Sequence, residues 1–129
     1  MTNQELQNLF EQTQENYELI PQFLDQLLET DVYCLGTQDN HHQIQFRVLE
    51  TPEGDQAIPF FILLETIQND IGEDAEYVQL NTRKLFEMTK GATLVLNPTS
   101  ELAKEFLADE IESILNMEQS EIDAEDESN

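Results

Sequence analysis

Residues 93–100 read Thr93-Leu94-Val95-Leu96-Asn97-Pro98-Thr99-Ser100. The first four form a continuous apolar run, which is the signature of a strand covered on both faces rather than one with a wet side. Such a strand needs a layer on each side of its sheet, which points to a mixed α/β domain. Pro98 cannot extend a regular ladder, and Asn97, Thr99 and Ser100 carry groups able to satisfy nearby backbone. The segment therefore reads as a strand-ending turn. It also qualifies as a polar lip at the carboxyl end of a central strand, where α/β folds place binding sites. Asn97, Pro98, Thr99 and Ser100 are one candidate partner-binding set.

Upstream, Ala57-Ile58-Pro59-Phe60-Phe61-Ile62 is the second informative run. Proline inside a strand belongs at an edge or a bulge, because it has no N–H to donate. Phe60 and Phe61 must point to opposite faces. A three-layer arrangement buries both. With one face open, an aromatic beside an unpaired edge would make a docking surface. Pro59, Phe60 and Phe61 are thus a second candidate set.

Around these runs the pattern alternates between helix and strand. Thr2 and Glu5 match a capping box, followed by Leu6, Leu9, Phe10, Thr13 and Tyr17 at helical spacing. Pro21 suits the first turn of a second helix whose apolar stripe is Ile20, Phe23, Leu24, Leu27 and Leu28. Val32–Leu35, Ile44–Glu50 and Ala57–Leu63 read as an antiparallel meander, with Ile44, Phe46 and Val48 on one face. A helical turn at Glu65–Ile71 leads to a strand at Tyr77–Leu80. Asn81 can cap a short helix near 82–89, which Gly91 ends. The expected fold is N-terminal helices packed on a mixed, largely antiparallel sheet of about five strands, with short helices near 82–89 and 109–116.

Propensity favours one helix from Glu101 to Asn116, but that helix would centre Glu110 on its apolar face. A buried, unpaired carboxylate costs several kcal/mol or loses its charge. A break near Ala108 removes the conflict and lets Asp109 open a short helix. Residues 101–107 stay open between helix and strand. From Met117 on there are six acids in thirteen residues, no base and no aromatic, which reads as a disordered acidic tail (117–129) after a single domain (1–116).

Charge excludes more than any motif does. The chain holds 28 acids against 5 bases, a net charge of −23, and residues 1–46 contain no Lys or Arg. Such a surface repels phosphate, so neither nucleic acid nor an anionic membrane is an expected partner, and self-repulsion favours a monomer or weak dimer. The same charge could instead mimic DNA, with Glu101, Glu105, Asp109 and Glu112 as a helical stripe. No secretory signal or membrane span is evident, and the single cysteine cannot form an internal disulfide, so a cytoplasmic protein is expected. Cys34, His41 and His42, with Asp39, are the only soft or imidazole-centred set. A structural zinc site takes four ligands and a catalytic one three, so a polar hairpin tip and a buried packing thiol are the plainer readings. The alternative is a metal-dependent or thiol enzyme using Cys34, His41 and His42. No cofactor is expected.

From Leu19 to Leu115 the order and spacing of several stretches resemble the N-terminal domain of the SseB (enhanced serine sensitivity) family. They are Phe23-Leu24-Asp25-Gln26-Leu27-Leu28-Glu29-Thr30-Asp31-Val32-Tyr33, the Gly54 turn, Ile58-Pro59-Phe60-Phe61, Leu85-Phe86 and Leu94-Val95-Leu96-Asn97-Pro98. The family pattern also resembles the broken reading near Ala108. Two departures stand out: Ile62 and Leu63 replace the Thr and Ser frequent in the family, and an acidic tail follows where many relatives carry a second domain. The resemblance implies a mixed α/β domain of poorly defined role, without established catalytic residues, and transfers no site. With the charge, it leads to the expectation of a non-catalytic module that binds an unidentified protein.

Overall fold

Thr2 accepts the Glu5 N–H at 3.1 Å and donates its own N–H to the Glu5 carboxylate at 3.3 Å, closing the capping box that starts α1 (Asn3–Gln12). This computed structural model describes residues 2–41, 43–50 and 53–116. The expected tail at 117–129 lies outside them. Helix α1 stops before Tyr17, which sits in a 3-10 turn and is 79% exposed rather than part of the apolar stripe. Asn16 caps that turn and breaks the helical spacing. Pro21 then opens α2 (Ile20–Leu28), which buries Phe23, Leu27 and Leu28 and leaves Ile20 at its exposed start.

The strands are β1 (Asp31–Gln38), β2 (Ile44–Phe46), β3 (Leu49–Glu50), β4 (Gln56–Phe61), β5 (Tyr77–Asn81), β6 (Thr93–Leu96) and β7 (Lys104–Phe106). They form one mixed sheet. Its spine runs β5-β1-β4-β6-β7, antiparallel throughout except for the parallel pair β4–β6. Beyond Cys34↔Phe60, β1 and β4 part; β2 pairs β1 and β3 pairs β4. The expected continuous strand Ile44–Glu50 is therefore two short ones turning at Arg47–Val48. That turn leaves Val48 48% exposed instead of on the inner face.

Two residues make this fork possible. Gly36 lies within β1 rather than in the following loop, at φ 151°, and a Cβ there would sit 2.3 Å from the Gln45 carbonyl oxygen. Only glycine admits so close a neighbour in that conformation. Pro59 lies in an interior strand, not at the sheet edge. One step along the register places it opposite Leu35, whose carbonyl already accepts the Arg47 N–H at 2.9 Å. The donor that proline lacks is thus missing where β1 has turned to another partner.

Helices cover the two faces unequally. On one side α1, α2, α4 (Thr82–Met88) and the final helix enclose the main core, which includes Phe60, Leu94, Leu96 and Phe106. Phe60, Phe86 and Phe106 meet there at centroid distances of 5.7–6.1 Å. On the other side α3 (Leu64–Asp70) packs Ile67 onto Leu35 and Phe61. Val95 is only half-buried on its second face.

The C-terminal part breaks where Glu110 demands it. Residues 104–106 pair with β6 as a strand, and the last helix spans 108–116. It begins one residue earlier than expected: Leu107 supplies the carbonyl for the Ile111 N–H, and Asp109 sits in the first turn instead of at the cap. Glu110 is half-exposed and meets Lys104 at 3.1 Å, so its charge is neither buried nor unpaired. Ile111 and Ile114 face the core.

Candidate functional site

The parallel pairing of β4 and β6 brings the two expected sets together at the carboxyl ends of these strands. Asn97 donates its N–H to the Phe60 carbonyl at 2.8 Å. Its side-chain oxygen accepts the Ile62 N–H at 3.4 Å, and its amide donates to Gln7 of α1 at 3.0 Å. The residue is fully buried, with φ 51°, a left-handed conformation that asparagine tolerates better than most residues. Asn3 reinforces the same corner by donating to the carbonyls of Asp31 and Ile62. Asn97 is therefore a clamp joining β4, β6 and α1, with both ends of its amide committed.

The rest of that lip offers little to a ligand. Phe60 and Phe61 point to opposite faces as expected, but both are fully buried, so neither is an exposed docking aromatic. Pro59 is buried, Pro98 and Ser100 are half-buried, and exposed Thr99 donates to Asp70 of α3 at 2.7 Å.

Cys34 is fully buried in the main core, and desolvation pushes its thiol up to about 12 from 9.0. Asp39 accepts the backbone N–H groups of His41 and Gln43, building a polar hairpin tip with His41 exposed. His42 lies outside the described residues. Among the described residues no cluster of His, Cys, Asp or Glu could hold a metal ion. Native Cys34 should react with a thiol reagent such as DTNB at pH 8 no faster than the chain globally unfolds. Burst labelling of one thiol per chain would contradict this placement. Burial favours the neutral thiol, so its contribution to stability is present below pH 9 and is lost as pH rises towards 12.

The supposed DNA-like stripe is dispersed. Glu101 lies in a loop, Glu105 in β7, and Asp109 and Glu112 in the last helix.

A feature not singled out in the sequence is the free side of β5. Tyr77-Val78-Gln79-Leu80-Asn81 pairs with β1 along Asp31–Leu35 and, among the described residues, with no other strand. Tyr77 is 45% exposed and packs edge-on to Tyr33 at 5.7 Å. A cleft of about 300 Å³ lies beside it, lined by Ile44, Val78, Leu80 and Met88 with the polar Gln38, Gln79 and Lys84. The residues of β5 carry no signal that sets them apart, since longer uncharged runs occur at 32–38, 56–64 and 91–100.

Residues 6–113 match the family model described as the SseB protein N-terminal domain. The chain belongs to the SseB family. It is 34% identical over 125 residues to Protein SseB of Escherichia coli K12 and to Protein SseB of Shigella flexneri. The match covers 91% of this chain and 48% of each relative, so the chain spans about half the length of the curated SseB proteins it matches. No solved structure matches it significantly. The family match includes both strands of the Asn97 clamp and the whole of β5. Among the described residues, no helix is long and apolar enough to cross a membrane.

Proposed function

We propose that this SseB-family chain is a non-catalytic, cytoplasmic protein-interaction module that engages its partner at the outer edge of β5. One contrast carries the reading: the groups best suited to chemistry are consumed by the fold, while a sheet edge is left open. Asn97 has both ends of its amide in hydrogen bonds, and Cys34 is sealed in the core. The β5 strand, in contrast, offers backbone and half-exposed apolar side chains beside a cleft. A lone buried cysteine is in keeping with a reducing compartment.

Affinity capture from native lysate at 0.15 M and 0.3 M salt tests the reading, with the purified complex re-formed in vitro. Apolar contacts and backbone hydrogen bonds are screened little over this range, so a partner is expected to survive with less than a tenfold loss of affinity. Steep loss at 0.3 M salt, together with displacement of duplex DNA from basic proteins, would place the function in the bulk charge instead.

A further inference from the structure

Among the described residues β2, β3, β5 and β7 each pair with a single strand. Of these, β2, β3 and β7 are only two or three residues long. The strands at the two ends of the spine, β7 and β5, are built differently. At one end β7 has three residues, two of them the charged Lys104 and Glu105, and the Lys104 ammonium lies over the Phe106 ring and against Glu110. Shortness and charge are the usual means of keeping a sheet edge from pairing with another chain. At the other end β5 has five residues with no charge and no proline. An edge without guards, in a chain so rich in charge, is suited to accept a strand.

We propose that β5 binds its partner by strand addition, and that the added segment is an extended, alternately apolar peptide flanked by basic residues. This rests on the reading of β5 as the interaction surface and names what fits it. Strand geometry sets the side-chain pattern. Val78 and Leu80 lie on the same sheet face as the main core, with Leu80 packed against it, and both line the cleft with Ile44 and Met88. An added strand would project every second side chain over that cleft, so apolar residues are required at alternate positions. Charge sets the flanks. Glu73, Asp74 and Glu76 precede β5, and Glu29 and Asp31 lie near its far end, on a chain of net charge −23. The net charge attracts basic flanks, most strongly at the Tyr77 end. At the other end Arg83, 2.6 Å from Glu29, and Lys84 offset Glu29 and Asp31. The same charge argues against a second copy: two edges could pair only by bringing two bodies of −23 together.

The test uses the full chain, isotope-labelled, with two synthetic peptides of alternating Val and Thr, one flanked by two lysines at each end and one by two glutamates. Amide shifts are expected to centre on Tyr77–Asn81 and on Met88, with the Lys-flanked peptide bound at least tenfold more tightly. Gln79 is exposed, so Gln79→Lys should fold normally and weaken that peptide at least tenfold by guarding the edge. Shifts elsewhere, equal affinity for the two peptides, or a Gln79→Lys variant that binds unchanged would each overturn strand addition of a basic segment. A dimer formed through β5 in sedimentation at micromolar concentration would overturn the choice of occupant. If these peptides fail while a captured partner still protects β5, only the peptide class is wrong; if β5 is unprotected there as well, the interaction edge itself is wrong.

Discussion

Replacing Gly36 by alanine is expected to lower the midpoint of thermal unfolding by roughly 10–15 °C. The added methyl would stand 2.3 Å from the Gln45 carbonyl oxygen, a backbone atom fixed by the pairing of Gly36 with Phe46. Relief would require β2 to move off β1, which breaks the fork on which β2, β3 and the Arg47 N–H bond to Leu35 depend. The φ of 151° adds strain for any side chain. Overpacking against backbone with a disfavoured dihedral amounts to about 3 kcal/mol. At roughly 3–5 °C per kcal/mol for a chain of this size, that gives the stated shift. Gly54→Ala is the matched control: its φ is also positive, at 89°, but the nearest atom to a new Cβ is a side-chain oxygen 3.9 Å away. Its loss should be limited to the dihedral, about 1 kcal/mol. Equal effects at the two glycines, read by thermal or urea unfolding, would contradict the close approach at the fork.

Asn97→Ala should have an effect of similar size for a different reason. It strips the Ile62 N–H of its acceptor in a buried place and leaves the Gln7 amide oxygen without its donor. An orphaned buried donor costs about 1–3 kcal/mol. Alanine at φ 51° adds about 1 kcal/mol more. The expected total is about 3 kcal/mol, with Asn97→Gly roughly 1 kcal/mol milder because glycine accepts the dihedral. Binding at β5, once the variant is held below its melting temperature, should be unchanged. Loss of binding without loss of stability would return Asn97 to the partner-binding lip that its sequence position invited.

The features that could be read from the chain were local ones. Thr2 with Glu5, Pro21 and Asn81 announce helix starts because a cap is made within three or four residues of itself. The break before the last helix was also legible, because helical spacing alone puts Glu110 on the wrong face. What stayed hidden depends on partners far along the chain. Arg47–Val48 turns because β1 and β4 diverge, and nothing between Ile44 and Glu50 encodes that divergence. Gly36 looked like the start of a loop, since its need for glycine comes from Gln45 crossing close by. Pro59 pointed to an edge or bulge, and an interior fork that removes the demand for its N–H is visible only once Leu35 and Arg47 are paired.

The candidate sites follow the same division. Asn97 and the Phe60-Phe61 pair were conspicuous as sequence, and they are conspicuous because the fold uses them: one locks three elements together and the others fill the two sides of the sheet. β5 is inconspicuous, and its property as an edge belongs to the topology, not to its residues. A run of uncharged side chains becomes meaningful only when no strand lies beyond it.

The function proposed for this SseB-family chain lies at that open edge. The most direct measurement is amide hydrogen exchange, followed by mass spectrometry, on the full chain alone and in its captured complex. Slowed exchange is predicted to concentrate at Tyr77–Asn81, with smaller changes around Met88 and Ile44 and none at 97–100. Protection confined to Asn97–Ser100 or to the last helix, with β5 exchanging as in the free chain, would contradict it.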